Sequence, residues 1–196
     1  MTDAENALKV VLLGMKNVGK TCIFNRYVNN EYPETRMTIG AYYANKECRI
    51  GKMNYSLAIW DTAGEERFDA LTSFYCRGSR CAIICYDLTN WNSFANLERW
   101  VKKVKDVAPD CAIVFAGNKL DIIEEDPTKR AVELEEAQRF ASSMDANIVE
   151  VSAKTGQNIP QIFEEAISKY LASSHSNPEK GRRISDANGD DDSSCC

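Results

Sequence analysis

The sequence predicts an α/β fold in which helices cover both faces of a mostly parallel sheet. Apolar runs of strand length alternate along the chain with segments whose apolar residues recur at helical spacing, a pattern typical of a buried parallel sheet. Two strand-like runs between Ala41 and Trp60 are joined through Gly51 and Lys52, which indicates a hairpin and therefore one antiparallel strand. With 196 residues and 44% hydrophobic content, the chain can form one domain with a substantial core.

The first predicted strand, residues 8–13, leads into a phosphate-binding motif. Residues 14–21 have the spacing G-x-x-x-x-G-K-T, and an apolar pattern of helical period follows them. Glycines let backbone N–H groups approach phosphate oxygens, Lys20 supplies charge to the β- and γ-phosphates, and the Thr21 hydroxyl can ligate Mg²⁺. The motif therefore predicts binding of a nucleoside triphosphate. The predicted nucleotide-binding residues of this region are Gly14, Asn17, Val18, Gly19, Lys20, Thr21 and Cys22.

The second motif, Asp61-Thr62-Ala63-Gly64, follows the predicted strand at residues 55–60. An aspartate at a strand end can hold Mg²⁺ through water, and the N–H group of Gly64 can reach a γ-phosphate. Taken alone, this tetrapeptide is better interpreted as a simple turn. Its place between the phosphate-binding motif and the two motifs described next favours a role at the nucleotide.

Two further motifs indicate which base is bound. Asn118-Lys119-Leu120-Asp121 follows the apolar run 111–116, at the sheet edge where open α/β proteins bind ligands. The Asp121 carboxylate can accept from both N1–H and the 2-amino group of guanine, whereas adenine has no such pair of donors, and the Lys119 stem can cover the base. Ser152-Ala153-Lys154 follows a strand predicted at 147–151 and can offer a backbone N–H to guanine O6. The two motifs predict a guanine nucleotide and disfavour a P-loop kinase or ATPase.

The second half of the chain contains two predicted helices, followed by a change in amino-acid composition. Apolar residues from Phe94 to Ala108 predict one helix, and the apolar stripe from Ile159 to Leu171 predicts the last one, with Asn158 as its N-cap. From Ser173 onward the chain is rich in serine and acidic residues, and it cannot offset the entropy of folding. The sequence therefore predicts a folded domain at residues 1–172 and a disordered tether at residues 173–196.

Composition excludes several other classes of protein. The formal charge of −5 argues against nucleic-acid binding. No apolar run approaches the ~20 residues that span a bilayer, and the polar N-terminus carries no secretion signal, which predicts a cytosolic protein. The scattered cysteines are therefore predicted to be reduced and mostly buried thiols. They are Cys22, Cys48, Cys76, Cys81, Cys85 and Cys111.

On these four motifs the chain resembles the small GTPases of the Ras superfamily over about residues 8–172, and it is similar to their Rab branch. The Rab-like features are residues 39–43, 67–72, 77–79 and 86–89, and the terminal Cys195-Cys196 pair. The resemblance implies a P-loop NTPase fold with six strands, GTP or GDP and Mg²⁺ as cofactors, and a switch in vesicle trafficking.

The resemblance also implies an anchored protein with several partners. Geranylgeranyl groups are expected on Cys195 and Cys196. They would place a monomer on the cytosolic face of an endomembrane, from which it cycles with the cytosol. The expected partners are an exchange factor, a GTPase-activating protein, an escort protein that covers the prenyl chains, and effectors that bind the switch regions.

The same resemblance implies roles for residues in the two switch regions. Thr38, within residues 30–40, is expected to ligate Mg²⁺ and to sense the γ-phosphate, and Tyr32 is expected to edge the guanine. The implied metal ligands are Thr21, Thr38 and Asp61. The implied effector-binding aromatics are Tyr43, Trp60 and Tyr75. For Trp60, a place in the hydrophobic core is the alternative.

Two residues depart from the family pattern. Glu65 stands where the family usually has a glutamine that orients the attacking water, and a carboxylate cannot donate to the γ-phosphoryl oxygens and repels their charge. Lys16 occupies a loop position that is usually Gly or Ser in this branch, where it can either clash with the phosphoryl group or offset the charge of Glu65. In lacking this glutamine, the chain resembles atypical Rab proteins that are linked to autophagic and late endocytic membranes.

Two hypotheses therefore stay open. The first is a GTPase with slow intrinsic hydrolysis, for which Lys20 and Glu65 are the candidate catalytic residues. The second is a largely GTP-loaded, non-hydrolysing, membrane-tethered module that binds effectors.

Overall fold

The computed structural model describes residues 7–34, 38, 40–64 and 69–175 of the chain. Within these residues it contains six strands, seven α-helices and one short 3₁₀ helix. Three residues to which the sequence assigns a function, Glu65, Cys195 and Cys196, lie outside the described residues.

The strands form a single mixed sheet. They are β1 (Leu8–Leu13), β2 (Ala41–Ile50), β3 (Met53–Thr62), β4 (Cys81–Asp87), β5 (Ala112–Asn118) and β6 (Asn147–Glu150). Their order in the sheet is β2-β3-β1-β4-β5-β6, and β2 alone is antiparallel to its neighbour, because it forms the predicted hairpin with β3. The predicted fold class is confirmed.

Helices connect the strands and cover both faces of the sheet. They are α1 (Lys20–Asn29), α2 (Asp69–Cys76), α3 (Trp91–Ala95), α4 (Leu97–Val107), α5 (Leu120–Glu125), α6 (Leu134–Ser143) and α7 (Ile159–His175), with a 3₁₀ helix at Pro127–Lys129. Successive side chains of a strand point to opposite faces, so β1 contributes to two cores. Val10 and Leu12 pack with α1 and α7, whereas Val11 and Leu13 pack with residues of α2 to α6.

Two predictions for the second half of the chain need correction. The single helix predicted from Phe94 to Ala108 is two helices, α3 and α4, separated at Asn96. The Asn96 side chain donates to the carbonyl oxygen of Asn92 at 2.9 Å, and such local side-chain hydrogen bonds compete with a continuous helix. Asn158 precedes α7 as predicted, but its φ of 57° lies in the left-handed region instead of the extended region typical of an N-cap. Its side-chain amide donates to the carbonyl oxygen of Glu150 at 2.9 Å.

The six cysteines of the domain are free thiols, as predicted. Cys76, Cys81, Cys85 and Cys111 are buried, whereas Cys22 and Cys48 are partly exposed. Burial raises the pKa of the Cys76 thiol to about 11 and that of Cys85 to about 12, so these thiols stay protonated and behave as small apolar groups. Among the helices of the described residues, none is both long and apolar enough to cross a bilayer.

Candidate nucleotide-binding site

The phosphate-binding motif forms the turn between β1 and α1. Gly19 precedes the first residue of α1 with a φ of 94°, and a Cβ added there would overlap the side-chain amide of Asn118. No side chain caps this helix start, so the first backbone N–H groups of α1 face the loop. A helix start of this kind is a ready anion site, because the N–H groups and the helix dipole both favour negative charge. Of the other predicted loop residues, Val18 is buried and Asn17 is exposed.

Lys20 is held inside the loop by carbonyl oxygens. Its ammonium donates to the carbonyl oxygens of Gly14 at 3.0 Å and Met15 at 2.9 Å, and the residue is only 6% exposed. Burial lowers the pKa of Lys20, and the nearby Cys85 and Asp61 act in the opposite direction. A polyphosphate in this loop would add anionic charge next to the buried ammonium, beyond that of the nearby Asp61.

The three predicted metal ligands meet beside the loop. The Thr21 hydroxyl donates to Asp61 Oδ2 at 2.7 Å and lies 2.8 Å from the Thr38 hydroxyl, which is also buried. The other carboxylate oxygen, Asp61 Oδ1, is buried and has no hydrogen-bond partner. Burial raises the pKa of Asp61 to about 6, and the Thr21 hydrogen bond and the Lys20 charge only partly offset that effect. Two hydroxyls and an unpartnered buried carboxylate oxygen form a donor set that fits Mg²⁺.

Gly64, the last residue of the second motif, lies directly against the phosphate-binding loop. A Cβ at this position would lie 2.5 Å from the Lys20 ammonium nitrogen and 2.6 Å from the backbone nitrogen of Lys16. Only a residue without a side chain can approach the loop so closely. Gly64 and Thr38 therefore adjoin the same loop from two different segments of the chain.

Asn118 links the base-binding motifs to the loop. Its side-chain amide donates to the carbonyl oxygen of Val18 at 2.9 Å, and its side-chain oxygen accepts from the N–H of Ala153 at 3.1 Å. The segment 152–154 could contact guanine O6 in two ways. The Ala153 N–H could be shared between Asn118 and O6, or the Lys154 N–H could donate to O6. Lys119 has a positive φ of 73°. Its ammonium nitrogen lies 2.5 Å from Oδ2 of Asp87, the last residue of β4.

Asp121 is held by the base-side loop, which we define as residues 152–155. The buried Ser152 hydroxyl donates to Asp121 Oδ1 at 2.6 Å, and it accepts from the N–H of Thr155 at 3.1 Å. The Lys154 ammonium lies 3.8 Å from Asp121 Oδ2. Burial first, and then the charges of Cys22 and Asp121, raise the pKa of Tyr32.

The three predicted effector-binding aromatics form one row on the surface. The ring centroids of Tyr43 and Trp60 are 4.9 Å apart, and those of Trp60 and Tyr75 are 5.6 Å apart. Trp60 is partly exposed and also packs against the core beneath it, so both interpretations of this residue describe part of its environment. Sequence reasoning missed Phe74, which is 66% exposed and whose ring centroid lies 5.7 Å from that of Tyr75.

Sequence reasoning also missed residues that support the site from outside the motifs. Asp87 pairs with Lys119, and Thr155 contacts Ser152. Arg26, on α1, donates to the carbonyl oxygens of Ala153 and Lys154. Neither periodicity nor spacing carries a signal for Arg26, because its partners are more than a hundred residues away in sequence.

Comparisons with known proteins agree with this geometry. The sequence model of the Ras family matches residues 9–172. A putative Ras-related protein Rab-5B from Dictyostelium discoideum is 42% identical over 169 residues, which cover 85% of this chain and 77% of that protein. The Ras-related protein Rab-24 of the same organism is 40% identical over 164 residues, with 84% and 81% covered. The Ras-like GTP-binding protein RYL2 of Yarrowia lipolytica is 38% identical over 168 residues, with 83% and 80% covered.

Proposed function

The chain belongs to the Ras family of small GTPases, in the Rab branch of that superfamily, and from this premise we propose that it is a trafficking switch with slow intrinsic GTP hydrolysis. As a member of this family it binds guanine nucleotide with Mg²⁺ and works with exchange factors, GTPase-activating proteins and effectors. The observation that carries the proposal is the meeting of Lys20, Thr21 and Asp61 at one end of the site, with Asp121 at the other.

Each part of the site has a proposed task in holding the nucleotide. Lys20 and the N–H groups at the start of α1 bind the phosphates, and Asp121 accepts from the guanine edge. Thr21, Thr38 and Asp61 would hold Mg²⁺, which would supply positive charge beside the phosphates. These residues orient the γ-phosphoryl group and stabilise negative charge, which is the main requirement of phosphoryl transfer.

The switch itself is proposed to lie in Thr38 and Gly64. Both adjoin the phosphate-binding loop, Thr38 through its contact with Thr21 and Gly64 through its close approach to Lys16 and Lys20. A γ-phosphate in the loop can therefore be sensed by two segments at once. Its loss on hydrolysis would release both, which changes the surface that effectors bind.

Slow hydrolysis is proposed because Glu65 follows Gly64 in place of glutamine. A carboxylate cannot donate to the γ-phosphoryl oxygens, and it adds negative charge next to them. The backbone of Lys16 adjoins Gly64, and the Lys16 side chain is exposed. If hydrolysis is too slow to matter, the second hypothesis holds, and the protein is a GTP-loaded module that binds effectors.

The tether and its lipids complete the proposal. We propose that residues 173–196 carry the domain on the cytosolic face of an endomembrane, with geranylgeranyl groups on Cys195 and Cys196. The basic residues of the tether, Lys180, Arg182 and Arg183, are outnumbered by five acidic residues, so the tether has a net negative charge that anionic lipid does not attract. Two prenyl chains are therefore needed for stable anchoring. An escort protein that covers both chains would return the protein to the cytosol.

The test is the identity and fate of the nucleotide. Chromatography of the nucleotide released from purified protein is expected to show guanosine phosphates, and single-turnover hydrolysis of GTP is expected to be slow. GTP that remains bound and unhydrolysed over hours would favour the second hypothesis. An adenine nucleotide, or none, would contradict both.

A further inference from the structure

Arg26 lies in the second half of α1, outside every motif that predicts nucleotide binding, and its guanidinium reaches the base-side loop. Nε donates to the carbonyl oxygen of Ala153 at 3.0 Å, and Nη2 donates to that of Lys154 at 2.7 Å. Nη1 donates to the carbonyl oxygen of Asn30 at 3.0 Å and to its side-chain oxygen at 3.3 Å. The half-buried side chain therefore joins the end of α1 to two consecutive peptide groups of the loop.

The contact between Arg26 and the Lys154 carbonyl oxygen affects the orientation of groups that bond to Asp121. In a planar trans peptide the C=O and N–H bonds point in opposite directions, so fixing the Lys154 oxygen also directs the N–H of Thr155. That N–H donates to Ser152 Oγ at 3.1 Å, and the Ser152 hydroxyl donates to Asp121 Oδ1 at 2.6 Å. A continuous chain of hydrogen bonds and peptide groups thus runs from Arg26 to the carboxylate. Hydrogen bonds linked in this way strengthen one another inside a protein.

The Ala153 carbonyl gives the same argument for the neighbouring peptide. Because Arg26 holds the Ala153 oxygen, the N–H of Lys154 is directed away from the guanidinium. The N–H of Ala153 is already donated to Asn118. Arg26 therefore sets the direction of both N–H groups that follow Ala153 in the loop.

The chemistry of the contact requires arginine. A planar guanidinium offers several donors on separate nitrogens in one fixed fork, so it can hold the oxygens of Ala153, Lys154 and Asn30 together, whereas the three donors of an ammonium share one nitrogen. The Asn30 contact alone would be an ordinary interaction at a helix C-terminus. The two contacts across to the base-side loop are what connect Arg26 to the nucleotide site.

We propose that Arg26 is a positioning residue for guanine discrimination. It holds the base-side loop so that Ser152 presents the Asp121 carboxylate to the 2-amino edge of guanine. The inference rests on the proposed role of Asp121 as the guanine acceptor. Arg26 acts through the loop without touching the nucleotide, so its loss changes the selectivity between bases beyond any change in overall affinity.

The experiment compares GDP with IDP, because hypoxanthine differs from guanine only by lacking the 2-amino group. Competition against a fluorescent GDP analogue gives the ratio of the IDP Kd to the GDP Kd for wild type, Arg26→Met and Arg26→Lys. We expect the ratio to fall about 5- to 10-fold in Arg26→Met, since a misaligned carboxylate loses a charge-assisted hydrogen bond to the 2-amino group. Arg26→Lys keeps the charge but not the fork, and we expect it to lower the ratio by only about 2-fold.

Ser152→Ala tests the route from Arg26 to Asp121. If Arg26 acts through Ser152, the double variant Arg26→Met/Ser152→Ala has the same IDP/GDP ratio as Ser152→Ala alone, because members of one hydrogen-bond chain are not additive. A purely structural role instead predicts that Arg26→Met raises both Kd values by the same factor. An unchanged ratio in Arg26→Met overturns the inference.

Two controls separate this inference from the proposed function. Arg80→Met removes an exposed guanidinium that packs over Tyr170 at 5.8 Å before the start of β4, and the ratio is expected to stay at its wild-type value. Asp121→Asn is expected to remove most of the preference for GDP. If it does not, the assignment of Asp121 fails; if it does and Arg26→Met keeps the wild-type ratio, only the Arg26 inference fails. Should Arg26→Met not fold, as judged by its Tm, Arg26→Gln replaces it and the same ratio decides.

Discussion

The two ends of the nucleotide site differ in how their polar groups are satisfied. On the base side, Asn118 and Asp121 have hydrogen-bond partners within the protein. In the loop that follows β6, the Ala153 N–H donates to Asn118 and the buried Ser152 hydroxyl donates to Asp121. On the phosphate side, Asp61 Oδ1 is buried without a partner, and the Lys20 ammonium lies among carbonyl oxygens. The protein itself therefore fixes the base side, whereas the phosphate side leaves a buried carboxylate oxygen and a buried ammonium open to the charges of a bound ligand.

This difference suits a switch. A base side held by internal hydrogen bonds keeps the nucleotide in register whatever its phosphate content. A phosphate side built from a buried cation and a buried carboxylate responds strongly to added charge, because electrostatic interactions are stronger where water is excluded. Thr38 and Gly64 adjoin the phosphate side, so the segments expected to move lie where the response is largest.

The largest effect on nucleotide binding is expected from a variant that changes the base side alone. Asp121→Asn is expected to weaken GTP binding by about 10³-fold or more, because a buried site built for specific hydrogen bonds strongly rejects a mismatched partner. Xanthine nucleotides should then be preferred, since their 2-oxo group accepts from an amide. Titration with GTP and XTP measures both effects. Unchanged GTP affinity would rule out Asp121 as the acceptor.

A change on the phosphate side is expected to act on GTP more than on GDP. Thr21→Asn removes a hydroxyl from the group formed with Thr38 and Asp61, and the GTP complex depends more on Mg²⁺ than the GDP complex does. We expect GTP affinity to fall about 10- to 10²-fold, because the variant loses a hydroxyl that would ligate Mg²⁺ and even changes beside metal ligands cost this much in metal affinity. Titrations with and without Mg²⁺ measure the effect.

Thr128→Asn is the matched control for this experiment, because Thr128 is an exposed threonine whose hydroxyl donates to Asp126 at the cap of the 3₁₀ helix. It should leave the affinity for both nucleotides unchanged. If Thr21→Asn keeps the wild-type GTP affinity and Mg²⁺ dependence, the assignment of the phosphate side is wrong.

A third variant is expected to change the rate of GTP hydrolysis and to leave nucleotide binding at both ends of the site intact. Glu65→Gln restores an amide that can orient water and removes a like charge, so we expect single-turnover hydrolysis to accelerate about 10-fold. Glu47→Gln, which makes the same change on exposed β2, is the control and should have no effect. No gain from Glu65→Gln would shift the cause to Lys16, which the double variant Glu65→Gln/Lys16→Ser then tests.

The smallest effect on the site is expected from changes in the tether. Cys195→Ser/Cys196→Ser should leave nucleotide affinity intact and make the protein wholly soluble in cells, and each single change should cause a partial loss of membrane association. Fractionation measures the distribution, and intact mass from eukaryotic cells should show added isoprenoid. Unmodified thiols with undiminished membrane association would contradict the lipid assignment.

The parts of the fold that the sequence predicts are those encoded in local periodicity. Residues 8–13 form β1 as predicted, and the hairpin turns at Gly51 and Lys52, because alternating or continuous apolar runs and turn residues are local signals. The helix predicted from Phe94 to Ala108 is divided because one side chain, Asn96, competes for a backbone carbonyl. Apolar spacing continues through such a break and does not reveal it.

For the site, the sequence by itself determined which residues form each motif and the end of the strand that each one follows. In parallel sheets the carboxyl ends of the strands share one edge, so motifs far apart along the chain had to meet. Only the tertiary structure decided the partners: Ser152 on Asp121, Asp87 on Lys119, and Arg26 on the loop 127 residues away. Such contacts depend on where side chains lie in space after packing, and no periodicity or spacing in the sequence encodes that position.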